Sequence, residues 1–290
     1  MHRLNRILIA LTILFLTCCP VWAARHVDHV FIISYDGGKP AVMQQCKMPE
    51  LTTLIKDGAS SWEAQTVFPS LTLVAHTSML TGLSPEKHKV NWNDWEPEKG
   101  IIASPTIFKL AKAQNLTTAM FVGKPKFIHL FQEGSLDDFS LPSHHAVDVA
   151  YAAARYIKSN KPNLCFIHFA DSDSAGHMFG WGSDQQKEAF ETEDKALKIV
   201  MKSLEEAGID HDSVVIISAD HGGHKRTHGT NTPDDMVIPW IVWGKGVKPG
   251  SHPDHTVTTY DTAATALWLL DVPLPSNMDG KPVTDVFAAE

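Results

Sequence analysis

Five β-branched and apolar runs, at residues 27–35, 117–122, 164–169, 214–218 and 238–243, alternate along the chain with helix-like segments at 49–56, 73–80, 105–114, 146–159, 185–207 and 259–270. Strands that are apolar on both faces need cover on both faces, and a strand–helix–strand rhythm supplies it. The pattern predicts an α/β fold with a mainly parallel central sheet sandwiched by helices. No internal repeat, low-complexity tract or Ser/Gly-rich linker interrupts it, so a single domain over residues 24–290 is expected.

The first 23 residues stand apart. Arg3 and Arg6 precede an apolar core at residues 7–16, and Val21-Trp22-Ala23 offers a small-x-small cleavage site, the pattern of a signal peptide. The core is too short to span a bilayer, so no stable membrane anchor is expected. We read the mature protein as secreted, into a bacterial periplasm. A lipoprotein reading through Cys18 or Cys19 lacks the small residues such processing prefers before the cysteine. Loss of Arg3 and Arg6 takes 25 basic residues to 23 against 33 acidic ones, a net charge of −10 in place of −8. That balance argues against nucleic-acid polymers and anionic membrane surfaces as partners, and leaves small anions. Cys46 and Cys165 remain. Cys165 reads as a small buried hydrophobe, and a disulfide between the two is permitted by the compartment without being required.

Chemistry gathers where apolar runs break into Gly-containing loops, the place where open α/β sheets bind ligands. Asp36 ends one run and is followed by Gly37-Gly38. Asp173 and His177 follow another, four residues apart, a spacing that puts both on one side of a helical turn. Asp171 is a competing carboxylate with a poorer spacing. Asp220-His221-Gly222-Gly223 ends a third run, and His228-Gly229 precedes a fourth. His224 competes with His228 for the last position. Three carboxylates and three imidazoles form a donor set for two divalent ions, zinc by preference and manganese as the alternative. Thr72, read as the N-cap of the segment at 73–80, supplies a hydroxyl nucleophile beside free N–H groups, with Ser70 as the alternative.

These motifs together resemble the alkaline phosphatase superfamily, and within it the type I phosphodiesterase/nucleotide pyrophosphatase family, from Val30 to about Val283. The family's catalytic threonine stretch falls on Phe68-Pro69-Ser70-Leu71-Thr72, its T-G-L-x-P-x-x-H on Thr81 to His88, and its phosphate-binding Asn on Asn93. Its D-S-S-G-H matches Asp173 to His177, its S-D-H-G matches Ala219 to Gly222, and its H-G matches His228-Gly229. The resemblance implies one ion on Asp173, His177 and His228 and another on Asp36, Asp220, His221 and Thr72. It further implies a phospho-threonine intermediate, and Asn93 with the Thr72 N–H binding the phosphoryl oxygens. The Phe-Pro-Asn that follows the family's threonine is replaced by Leu73-Val74-Ala75, which takes away part of its nucleotide-binding surface.

Among relatives, a sulfatase is disfavoured because Thr72-Leu73-Val74-Ala75-His76 lacks the Cys/Ser, Pro and Arg that it needs. Arginine scarcity leans away from a phosphomonoesterase, since Arg226 alone lies near the motifs. A phosphonate hydrolase stays open, with Lys124 or Lys126 as carboxylate binders. The rival from another class is a non-catalytic periplasmic zinc-binding protein. The substrate expected is a small phosphate ester.

Overall fold

The structure, a computed structural model, describes residues 27–288, so the expected signal peptide at 1–23 lies outside the described residues. One sheet holds β1 (His29–Tyr35), β2 (Ala59–Gln65), β3 (Thr118–Phe121), β4 (Asp138–Ser140), β5 (Leu164–Phe169), β6 (Ser213–Ser218) and β7 (Val237–Gly244). Their order across the sheet is β2-β7-β6-β1-β5-β3-β4. The run from β6 to β4 is parallel; β7 joins β6, and β2 joins β7, in antiparallel fashion. The expected α/β architecture with a mainly parallel sheet is the one observed.

The helices are α1 (Pro40–Met43), α2 (Pro49–Asp57), α3 (Thr72–Thr81), α4 (Pro85–His88), α5 (Ile107–Ala113), α6 (Ala146–Asn160), α7 (Asp171–Phe179), α8 (Asp184–Ala207), α9 (Pro233–Met236) and α10 (Asp261–Leu269). Val30 and Ile32 of β1 join Phe166, Ile216 and Trp240 beneath α3, α5 and α10. Phe31, Ile33 and Tyr35 point the other way, joining Ile167 and Ile217 beneath α2, α6 and α8. Each such buried side chain contributes roughly 1.5–3 kcal/mol over exposure, so neither face of the sheet can be left to water. All ten residues of α3 are buried, which explains why its sequence shows no polar face.

Two strands went unread in the sequence, β2 and β4. Both lie at the sheet's edges, and their side chains (Ser60, Ser61, Glu63 and Gln65 in β2) carry no apolar alternation. Cys46 and Cys165 are both free thiols, so the permitted disulfide is not formed. Cys165 lies in the core facing α6 and α8, and burial pushes its thiol upward. Among the described residues, no helix is long and apolar enough to cross a membrane.

The register sets the level of the site. Ser34 of β1 stands opposite His168 of β5 and Ser218 of β6. The residues that follow these three strands therefore emerge side by side at the carboxyl edge.

Candidate active site

Asp36 follows β1 directly, and its N–H donates to Phe169 O at the end of β5 (3.0 Å). The segment carrying Asp173 and His177 is the nine-residue helix α7, longer than the single turn the spacing required. Asp220 and His221 follow β6 by two and three residues, and His228 sits in the loop before α9. Gly37, at φ 72°, permits this convergence: a Cβ there would lie 3.2 Å from the Asp173 backbone.

The side chains meet. His221 Nε2 lies 3.5 Å from Asp36 Oδ1, 3.2 Å from Asp220 Oδ2 and 4.0 Å from Asp173 Oδ1. His228 Nε2 is 3.9 Å from Asp173 Oδ1, and the His221 and His228 rings stack at 3.6 Å. His177 stands on the rim, half-exposed, with Nε2 3.3 Å from Asp173 Oδ1. Two tight donor sets result within this cluster, Asp173–His221–His228 and Asp36–Asp220–His221, so His221 stands beside both. The resemblance assigned His177, not His221, to the first set.

The hydrogen bonds decide what this cluster can hold. His221 Nδ1 donates to Gly222 O (2.7 Å), His228 Nδ1 to Ser70 O (2.8 Å) and His177 Nδ1 to Arg226 O (3.0 Å). A carbonyl only accepts, so each of these nitrogens carries a proton, and burial keeps the His221 and His228 rings neutral, with each Nε2 turning a lone pair toward a carboxylate. The facing oxygens Asp36 Oδ1, Asp173 Oδ1 and Asp220 Oδ2 are buried and have no hydrogen-bond partner. Lone pairs aimed at buried lone pairs are costly unless a cation lies between them. The donor set therefore fits divalent metal ions. Burial, then the His221 charge, lowers His228 to a pKa of about 4, which keeps it a neutral donor at physiological pH.

Lys124 occupies the outer side of the cluster, with Nζ 2.7 Å from Asp36 Oδ2 and 2.5 Å from Asp173 Oδ2. Burial alone would raise the Asp36 carboxyl; the Lys124 ammonium and the His168 hydrogen bond outweigh it and hold Asp36 well below the usual carboxylate range. Asp220 is pushed upward by burial and by the Asp36 charge, which outweigh the opposing Lys124 charge. Lys124 is thus committed to protein carboxylates and is not the free carboxylate binder the sequence allowed. Lys126 makes no hydrogen bond or ion pair with the described residues, and burial and Lys124 lower its pKa.

Thr72 Oγ1 lies 3.3 Å from His221 Nε2. Thr72 is not the N-cap of α3, as the sequence suggested, but its first helical residue; the N-cap is Leu71, whose side chain cannot accept. Asn93 performs that task from twenty residues away, its Oδ1 accepting from Leu73 N–H (2.9 Å). Ser70 Oγ is spent on Thr230 O (2.9 Å), and Asp171 caps α6 through Ala146 N–H (2.7 Å). His224 Nδ1 pairs with Asp235 Oδ1 (2.8 Å), so His228 and not His224 joins the cluster. His144 and His252 are exposed as expected, while His2 and His26 lie outside the described residues.

Sequence reading missed three supports. His168 Nε2 donates to Asp36 Oδ2 (2.8 Å). His76, one turn after Thr72, bonds Thr72 O and Ser34 Oγ (both 2.8 Å). Each is a polar residue in an otherwise buried apolar element, which was the available signal. Glu193 gave no such signal on the long helix α8; it is fully buried and holds Ser172 N–H (3.0 Å), whose hydroxyl donates to Asp36 O (2.7 Å). Burial, then the Asp171 charge, raises the Glu193 carboxyl well above its ordinary value. The folded chain thus binds this proton more tightly than the unfolded one, and stability falls as pH rises above the unfolded value. Glu193→Gln should flatten that decline: urea unfolding at pH 5 and pH 8 should show a smaller loss than in the wild type. An unchanged or steeper loss would contradict the assignment.

The sequence pattern of type I phosphodiesterase/nucleotide pyrophosphatase matches residues 30–236. The chain belongs to that family. An ectonucleotide pyrophosphatase/phosphodiesterase of Caenorhabditis elegans is 21% identical over 89% of the chain and 40% of its own length. Bis(5'-adenosyl)-triphosphatase ENPP4 of Bos taurus is 24% identical over 67% of the chain and 47% of its length. GPI ethanolamine phosphate transferase 1 of Emericella nidulans is 29% identical over 38% of the chain and 12% of its length. The chain thus spans less than half the length of these curated relatives. Murine ectonucleotide pyrophosphatase/phosphodiesterase 5, solved as an inactive threonine-to-alanine form with AMP, superposes with a TM-score of 0.76 at 15% identity, covering 90% of this chain and 100% of that one. A 2-O GAG sulfatase superposes at 0.73 and 15% identity, over 88% and 73% of the two chains. Both likenesses are of fold.

Proposed function

We propose that the protein hydrolyses small phosphodiesters or nucleotide pyrophosphates through a phospho-threonine intermediate. The observation that carries this reading is the set of three unpartnered buried carboxylate oxygens facing imidazole lone pairs, with the Thr72 hydroxyl 3.3 Å from the shared His221. Two divalent ions, zinc by donor type and manganese as the alternative, held by Asp173, His177 and His228 and by Asp36, Asp220, His221 and Thr72, would lower the hydroxyl pKa and neutralise charge on the phosphoryl group. Thr72 Oγ loses its proton and attacks phosphorus, forming an Oγ–P bond as the P–O bond to the leaving group breaks; that group departs as an alcohol from a diester or as a phosphate from a pyrophosphate. Water then attacks the phospho-threonine, releasing the phosphate product and restoring the hydroxyl. The Oδ1 bond to Leu73 leaves both Asn93 Nδ2 donors for the phosphoryl oxygens, joined by the Thr72 N–H in the first turn of α3. The signal-peptide reading makes the protein secreted, into a periplasm, where such esters are met outside the cytoplasm.

One observation favours a second reading. Lys124 adds a positive charge, so three carboxylates, two divalent ions and Lys124 sum to about +2 rather than +1. With Lys126 unpaired nearby, that field suits a dianion: a phosphomonoester, or a phosphonate bearing a carboxylate. A comparison of kcat/KM on an aryl diester, an aryl monoester and phosphonoacetate ranks the readings, with the diester expected to lead by about tenfold or more. A lead by phosphonoacetate or the monoester would replace the first reading with the second. Tight zinc binding with no turnover of any of the three would instead make this a non-catalytic zinc-binding protein.

A further inference from the structure

Asn93 lies between α4 and α5, in a stretch whose regular structure is a single short 3₁₀ turn, Pro97–Lys99. Holding such a loop in one conformation costs backbone entropy, so something must tie it down. His129 does so. It is fully buried on the 3₁₀ segment Pro125–Leu130. Glu96 N–H donates to its Nε2 (3.2 Å), and an amide can only donate, so Nδ1 carries the ring proton and gives it to Gly100 O (2.5 Å). Asp94 O, also 3.2 Å from Nε2, is left without a bond to it in this tautomer. Ile102 N–H donates to His129 O (2.9 Å). Trp92 and Trp95, one before and two after Asn93, pack on the same ring at centroid distances of 5.5 and 4.5 Å. His129 thus gathers residues 92–102 through both ring nitrogens, its ring contacts and its own carbonyl. It has no hydrogen bond or ion pair to Asp36, Thr72, Asp173 or Asp220 among the described residues.

We propose that His129 is a positioning residue for Asn93, holding the loop so that Asn93 keeps its bond to Leu73 and presents its amide donors to the phosphoryl group. This rests on the reading of Asn93 as a phosphoryl-binding side chain. A second tie runs along the same segment, because Lys124 at its start grips Asp36 and Asp173. The loop that binds phosphate and the carboxylates of the cluster therefore share one support.

The test is a double-mutant cycle on an aryl phosphodiester with wild type, Asn93→Ala, His129→Ala and the double variant, plus His129→Asn, with bound zinc and melting temperature read for each. Asn93→Ala should lower kcat/KM about 100-fold or more. His129→Ala should lower kcat about 10- to 100-fold at unchanged zinc content. In the Asn93→Ala background the same change should cost less than about twofold, since the group it positions is gone. His129→Asn, whose amide can still donate to Gly100 O, should recover part of the loss. If His129→Ala costs nothing, or costs the same factor with and without Asn93, the proposal fails. If Asn93→Ala alone leaves activity intact, the Asn93 reading fails and takes the proposal with it. Should His129→Ala not fold, the cycle run with His129→Asn decides by the same coupling.

Discussion

Thr72→Ala is expected to cut diester turnover by about 10⁴-fold or more while bound metal and fold persist. The hydroxyl is buried, 3.3 Å from His221 Nε2 at the centre of the donor cluster, and no neighbouring hydroxyl can replace it because Ser70 Oγ is committed to Thr230 O. Thr72 does not cap α3; Asn93 does, so losing the side chain costs the helix little, about 1 kcal/mol. Thr72→Ser keeps the hydroxyl and should retain activity within about tenfold. Ser70→Ala should leave most of the turnover. Single-turnover kinetics on an aryl diester, with acid quench to trap phosphorylated protein, reads all three. Full activity in Thr72→Ala with loss in Ser70→Ala would move the nucleophile to Ser70.

His221→Ala is the second large effect. Its Nε2 faces carboxylates of both donor sets, and its ring stacks on His228 at 3.6 Å. Structural zinc sites derive roughly 10–16 kcal/mol from about four ligands, so removing this one should weaken binding of the ion it would hold about 100-fold or more. Activity should fall about 1,000-fold in parallel, because Thr72 would lose its neighbour together with the ion that would lower its hydroxyl pKa. His224→Ala is the control: its ring pairs with Asp235 outside the cluster, and metal content should hold. Calorimetric zinc titration of both variants separates them. Equal zinc affinity in wild type and His221→Ala would remove His221 from the metal centre.

Strands β1, β3, β5, β6 and β7 were legible because burial on both faces forces largely apolar runs. The residues at their carboxyl ends were legible because charged groups there had no apolar alternative. Other features follow from contacts distant along the chain. Leu71, an apolar residue, caps no helix, so the rule that seeks a Ser, Thr, Asp or Asn slid to Thr72; the acceptor came from Asn93. Lys124 reads as a surface or substrate cation until the fold carries it to Asp36 and Asp173. His168 stood inside a predicted strand, on the face of Phe166 and Leu164, and its place beside Asp36 follows only from the β1–β5 register.

The central claim is a two-metal centre built from Asp36, Asp173, Asp220 and three imidazoles, and its most direct measurement is a zinc back-titration. Protein stripped by chelation should lose diester activity and regain it in proportion to zinc, levelling at two equivalents per chain on the proposed two-ion reading of the cluster. Activity that survives complete stripping, with no metal detectable by elemental analysis, would contradict it.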